Sequence, residues 1–251
     1  MGRKLQKVIV PLCVWIAVWQ MAALAVAQEL ILPTPLAVLR ALAGLSADAL
    51  FWQSALASLL RVFGGFLLGT LAGVALAALT AAFPWCDWIF TPAVKVIRAV
   101  PVVCFILWVL LWRPTNEVPL FIAALMVLPV VWGSTRQGLA SADPRLLELA
   151  GSYGYGRWRT AMLVYVPSAI PAVAAGCRTA LGLAWKAGVA AEVLCLPRLA
   201  VGTGVAAART YLETPELLAW TVAIILLSMV TEALAGLGLK RLARLGEGGE
   251  P

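Results

Sequence analysis

Long apolar runs separated by short polar intervals set the plan of this chain. An uncharged run from Val8 to Ala27 is followed by a second from about Ala55 to Phe83, which carries Arg61 alone. A third, Ala99 to Trp112, is short, which suggests a partly re-entrant or tightly packed helix, or a start that lies earlier. The fourth runs from Val118 to about Thr135, with Pro129 as a kink site. The fifth, Val166 to about Leu194, contains Arg178, Lys186 and Glu192, and the sixth, Glu216 to Gly238, contains Glu232. Spans this long and this rich in Ala, Leu and Val read as membrane-crossing helices, at roughly 20 residues each. Alternating strands of about 10 residues, the mark of a membrane barrel, are missing. The fold class is therefore an all-α membrane protein, a polytopic bundle of about six transmembrane helices. Residues 1–251 form one domain, with a first span over 8–27 and core spans over 55–238.

The polar intervals carry the rest of the pattern. Leu32-Pro33-Thr34-Pro35 is an extended lead-in, since each proline disfavours helix in the residue before it, and a short amphipathic helix follows to about Leu50. Pro84 to Arg98 reads as a connection, with Trp85 and Trp88 as interfacial anchors, and Leu196 to Pro215 as a Gly-rich loop with a short helix over Val205 to Tyr211. Gly65, Gly69 and Gly73 repeat every four residues, so another helix can approach that face closely. The interval Asp143 to Pro167 is the longest and most polar. Asp143-Pro144 is a helix start, with Asp as N-cap and Pro at the first helical position. Leu146, Leu147, Ala150 and Tyr153 recur at helical spacing, enough for one apolar stripe on a partner. Gly151, Gly154 and Gly156 break that helix, and a second begins at Arg157, giving an elbow with an arginine-studded face.

Composition narrows the function classes. The chain is 63% hydrophobic and 12% charged, with a mean hydropathy of +0.95, which is far from a soluble domain. Its net charge of +7 does not call for nucleic acid, because basic residues flanking spans on one side are what membrane insertion requires. Twelve Lys and Arg fall on the side of both termini and the elbow, five on the other side, Arg61 among them as a residue that can snorkel to the interface, and two within the fifth span. That asymmetry puts both termini and the elbow in the cytoplasm. Ala25-Val26-Ala27 looks like a signal-peptidase site, but the preceding run is long enough to be a retained span. The five cysteines form no Cys-x-x-Cys pair and read as small hydrophobes. With no histidine, bis-histidine haem ligation, His-x-x-x-His zinc sites and Ser-His-Asp catalysis are excluded, and no metal site is expected. No Gly-x-x-x-x-Gly-Lys-Ser/Thr loop is present, so the chain cannot be its own conventional ATPase.

Charges within spans are costly in lipid, so Arg178, Lys186, Glu192 and Glu232 should face the bundle interior, a water-filled path or one another. Arg178 and Lys186, eight apart, share roughly one helix face. They either line a translocation path that prefers anions, or form inter-helix pairs that fix packing.

Glu148-Leu149-Ala150, three residues, Gly154, nine residues, Val164, one residue, Val166-Pro167 resembles the EAA loop of ABC-importer permeases. Glu, the second Ala, Gly and Pro match, while Leu149, Val164 and Val166 are apolar replacements. The likeness covers nearly the whole chain and is strongest to the nitrate, sulfonate and taurine group. Leu32-Pro33-Thr34-Pro35, Ser58-Leu59 with Arg61-Val62, Gly65-Phe66, Arg98-Ala99-Val100-Pro101, Gly176-Cys177-Arg178, Ala191-Glu192 and Gly202-Thr203-Gly204 are similar to that group. Val102 to Ile106 departs from the group's Ala-Trp-x-Pro-Leu, and Arg113 to Glu117 replaces its glycine-containing turn. The resemblance implies a type I permease fold in the bacterial cytoplasmic membrane. It also implies two cytoplasmic ATP-binding subunits, an extracytoplasmic solute-binding protein and a second permease copy, a homodimer by default. ATP-Mg would sit on the partner subunit, with no cofactor and no enzymatic activity in this chain. Residues 143–167 would be the coupling loop, with Glu148, Leu149, Ala150, Gly154, Tyr155 and Pro167 as coupling residues. A secondary transporter without an ATPase is the alternative, but the chain shows no convincing internal repeat and such a protein gives the elbow no task. An intramembrane enzyme or redox subunit lacks the histidine and the nucleophile motif it would need.

Overall fold

The computed structural model describes the backbone of residues 2–246 and the side chains of 9–238. Among the described residues eleven α-helices follow in chain order: α1 Gly2–Val26, α2 Pro35–Ser46, α3 Ala49–Ala82, α4 Pro84–Ala99, α5 Val102–Leu110, α6 Val118–Ala140, α7 Pro144–Ser152, α8 Arg157–Thr160, α9 Val166–Cys195, α10 Val201–Thr210 and α11 Thr214–Gly246. Five segments are long and apolar enough to cross a membrane: Ile9–Val26, α3, α6, Arg157–Cys195 and Thr214–Gly238. The Gly/Glu tail beyond Gly246 lies outside the described residues.

The centre is a three-helix stack in which α6 packs on both α3 and α9, and α11 closes over α9. Its core gathers Val62, Phe66, Val127, Val131, Leu181 and Trp185. In lipid the apolar effect does not drive helices together, so close van der Waals contact must. The Gly65-Gly69-Gly73 row supplies that contact. A Cβ at Gly65 or Gly69 would stand 2.5 Å from a carbonyl oxygen of α6, Leu120 and Ala124 respectively. Trp185 Nε1 donates to Thr231 Oγ1 at 2.7 Å and fixes the register of α9 against α11.

Several boundaries differ from the sequence-based expectation. Pro84 to Arg98 is helical, not a loop: Pro84 opens α4 after an extended Phe83. Val100, which precedes Pro101, is pushed to ψ 132, and α4 and α5 meet there at 101°. The expected third span is thus a nine-residue helix paired with a bent partner, a broken span or re-entrant loop. Pro129 lies buried inside α6, which runs on through it to Ala140 and takes in Arg136. Arg136 binds Asp87 and donates to Thr91 Oγ1 at 3.2 Å, tying α6 to α4. The short helix after α9 begins at Val201, earlier than the expected Val205. Thr34 caps α2 by accepting from Ala37 N, with Pro35 at its first position.

Candidate functional site: an exposed elbow and the charges of α9

The elbow is built from local chemistry. Asp143 accepts from Arg145 N at 2.8 Å and opens α7. At the other end Gly154 N bonds Gly151 O at 3.0 Å and Tyr155 N bonds Ala150 O at 2.9 Å. That pair is a Schellman turn, which needs a left-handed residue, and Gly154 supplies it at φ +66. A β-branched side chain there would be strained. Seven residues after Gly154 the chain widens into a π-helix, Ala161–Tyr165, in which Val166 N reaches back to Ala161 O. The wide turn accommodates Pro167, which has no N–H to donate and sits at the start of α9.

Within α7 only Ala150 is buried, and that helix makes marginal contact with the rest of the bundle. Glu148 is exposed. Leu149, Tyr153 and Trp158 stand out with 53%, 70% and 76% of their surface open. Arg159 lies 4.4 Å over the Tyr155 ring. The expected stripe of Leu146, Leu147, Ala150 and Tyr153 is therefore split: Ala150 turns inward, Leu147 is half-buried, and Leu146 and Tyr153 face out. The elbow presents an apolar, aromatic surface that nothing among the described residues covers.

The charges within spans divide into two kinds. Glu192, near the end of α9, is fully buried. Its carboxylate accepts from Ser58 Oγ at 2.7 and 2.8 Å, from Arg61 Nη1 at 3.1 Å and from Gly202 N at 3.1 Å. Arg61 also donates to Leu199 O at 2.7 Å, and Ser58 Oγ accepts from Val201 N at 3.0 Å. Arg61 thus turns inward to a buried partner and does not snorkel, because the Glu192 carboxylate offers it a better acceptor than the interface. The cluster clamps α3, α9 and the start of α10. Ser58 and the Arg61–Glu192 pair were not legible as partners. The available signal was opposite charges at matching depth near the same ends of two spans.

Arg178, Lys186 and Glu232 are the other kind. All three are exposed, and among the described residues none forms an ion pair with another. Arg178 and Lys186 sit roughly 18 and 14 Å along the axis from the two ends of α9, at 1.5 Å per residue. Glu232 accepts from Ser228 Oγ at 3.1 Å, and its Oε1 would lie 3.2 Å from a Cβ at Gly182, midway between the two cations. Among the described residues no cluster of three or more His, Cys, Asp or Glu is placed to hold a metal ion.

Residues 65–244 match the family model described as the binding-protein-dependent transport system inner membrane component. The chain is 31% identical over 232 residues to the putative aliphatic sulfonates transport permease protein of Escherichia coli (strain K12), covering 92% of this chain and 86% of that one. It is 29% identical to the taurine transport system permease protein of the same organism, over 93% and 84% of the two chains. The riboflavin transport system permease protein of Chloroflexus aurantiacus is also 29% identical, over 84% and 79%. Among solved structures, the crystal structure of an amino acid ABC transporter with histidines superposes with a TM-score of 0.66 at 18% identity, over 81% of this chain and 97% of that one. Together with the all-helical architecture of five apolar spans and one bent pair, these likenesses place the chain in the binding-protein-dependent transport system inner-membrane component family, as an ABC-importer permease.

Proposed function

We propose that this chain moves a small sulfonate-, taurine- or nitrate-like anion, or a vitamin-sized solute, into the cytoplasm as one of two identical permease subunits of an ATP-driven importer. The relatives named for sulfonates, taurine and riboflavin support that range. An extracytoplasmic binding protein delivers the solute. Two cytoplasmic ATP-binding subunits, which carry ATP and Mg²⁺, drive the cycle. Both termini and the elbow face the cytoplasm, in keeping with the excess of basic residues on that side.

The observation that carries the coupling role is the exposed apolar surface of the elbow, with Leu149 on α7, Tyr153 at its C-cap and Trp158 on α8, where α7 hardly touches its own bundle. A cleft on the ATPase would cover it. Glu148 offers its exposed carboxylate at that surface, the Schellman turn at Gly154 holds its shape, and Tyr155 and Pro167 carry the motion through the π-helix into α9. Closure of the ATPase pair then rocks the two permeases between inward- and outward-facing states. Arg178 and Lys186 line the path in α9, where water and solute, not lipid, meet their charge.

The test is co-purification in detergent with the ATP-binding subunit encoded beside this chain. Wild type retains the ATPase, and a Glu148→Arg, Gly154→Val double variant loses it while staying monodisperse. Retention by the double variant would remove the elbow from the coupling role.

A further inference from the structure

At the end of the bundle opposite the elbow, the starts of α3 and α11 meet α10 around a cavity of about 270 Å³. Two of its walls are aromatic. Phe51 and Trp220 pack with ring centroids 5.1 Å apart. α10 lies so close to the indole that a Cβ at Gly204 would stand 2.4 Å from Trp220 Cε2. Ser54 lines the cavity from α3 with 6% of its surface open. Among the described residues its hydroxyl makes no hydrogen bond, and its oxygen is not sealed inside the protein, so it opens on the cavity. A buried hydroxyl left without a partner is costly, so the cavity calls for an occupant that bonds it.

The remaining polar groups decide what that occupant is. Asp48 and Glu216 bring two carboxylates against the one guanidinium of Arg198, an excess of negative charge. Asp48 Oδ1 accepts from Leu50 N at 3.0 Å and Glu216 Oε1 from Trp220 Nε1 at 3.3 Å. The second oxygen of each has no hydrogen-bond partner among the described residues. Thr203 spends its proton on Pro197 O at 2.8 Å and faces the cavity only as an acceptor. The lining is thus rich in acceptors, and its aromatic faces favour a cation over a neutral donor. We propose that this cavity binds a primary alkylammonium ion. The carboxylates and the Ser54 and Thr203 hydroxyls take its N–H groups, and Phe51 and Trp220 cover its alkyl stem. The site shares no residue with the path proposed in α9. Its wall is nevertheless tied to the buried clamp, because Val201 N donates to Ser58 and Gly202 N to Glu192 at the start of α10. An occupant therefore bears on the joint of α3, α9 and α10.

The experiment compares three probes of similar size: propylammonium, 1-propanol, which lacks the charge, and tetramethylammonium, which lacks the N–H donors. Binding to the full chain in lipid nanodiscs is measured by calorimetry, with protein-free nanodiscs subtracted, for wild type, Ser54→Ala, Glu216→Gln and Arg198→Gln. Glutamine at 216 keeps an acceptor for Trp220, and an unchanged melting temperature certifies each fold. Wild type should bind propylammonium roughly tenfold tighter than either other probe, the scale of one charge-assisted hydrogen bond. Glu216→Gln should weaken propylammonium by about as much. Arg198→Gln should tighten it, since it removes the one like charge at the mouth. Ser54→Ala should narrow the gap between propylammonium and tetramethylammonium. A wild type that binds none of the probes, or all three alike, overturns the proposal. So does a shift in the same direction for Glu216→Gln and Arg198→Gln, which would mark an effect of packing and not of charge.

Discussion

One helix, α9, handles charge in two opposite ways. Near its end, Glu192 is buried and both its carboxylate oxygens are hydrogen-bonded, by Ser58, Arg61 and the Gly202 amide. In its middle, Arg178 and Lys186 stand exposed with no acidic partner among the described residues. A charge that the chain satisfies for itself serves the fold. A charge that it leaves open at membrane depth must be met by something else: water, solute or a second subunit. The elbow repeats the contrast in apolar terms, with Ala150 packed inward beside an uncovered Leu149, Tyr153 and Trp158.

The contrast breaks most visibly at Glu192. Glu192→Ala strands Arg61 in a partly buried site, where losing one member of a buried pair costs about 3–5 kcal/mol. Thermal unfolding in detergent should show a large drop, and an unchanged melting temperature would dissolve the distinction. The helix seam comes next. Gly69→Leu forces a side chain where even a Cβ stands 2.5 Å from the Ala124 carbonyl, an overpacking cost of about 1–3 kcal/mol. Gly44→Ala, with nothing within 4 Å, is the matched control and should leave the melting temperature unchanged or slightly raised. Smaller still is Arg113→Ala. It removes an exposed i,i+4 pair with Glu117 at 3.1 Å, a loss of about 0.5 kcal/mol or less in the same assay. The smallest effect on stability belongs to Arg178→Ala with Lys186→Ala. That double variant should melt within about 0.5 kcal/mol of wild type, as exposed positions without partners do. Its solute uptake into vesicles should nevertheless collapse. A large stability loss would mean that the two cations serve packing.

Much of this was legible in the order of residues, for physical reasons. Gly65, Gly69 and Gly73 announced a close helix approach because only glycine spacing leaves backbone exposed on one face. Asp143-Pro144 and Gly154 fixed the elbow because caps and left-handed turns are local chemistry. What stayed hidden was not local. The Ser58–Arg61–Glu192 cluster joins residues more than 130 positions apart. The bend between α4 and α5 was obscured because Pro84, Asp87, Pro92, Lys95 and Arg98 give a helix the composition of a loop. The π-helix before Pro167 has no composition of its own, and follows from a proline that α9 must begin beside.

The most direct measurement is thiol accessibility along α9. In a background with the five native cysteines replaced, Arg178→Cys and Lys186→Cys are treated in membrane vesicles with a membrane-impermeant thiol reagent. Leu71→Cys on α3, 68% exposed on an apolar face, is the lipid-facing control. An aqueous path predicts labelling of Lys186→Cys and Arg178→Cys, altered when the ATPase is driven through its cycle, with Leu71→Cys unreactive. If Lys186→Cys and Arg178→Cys are as silent as Leu71→Cys in every state, the open charges of α9 do not face water, and their role in solute passage is wrong.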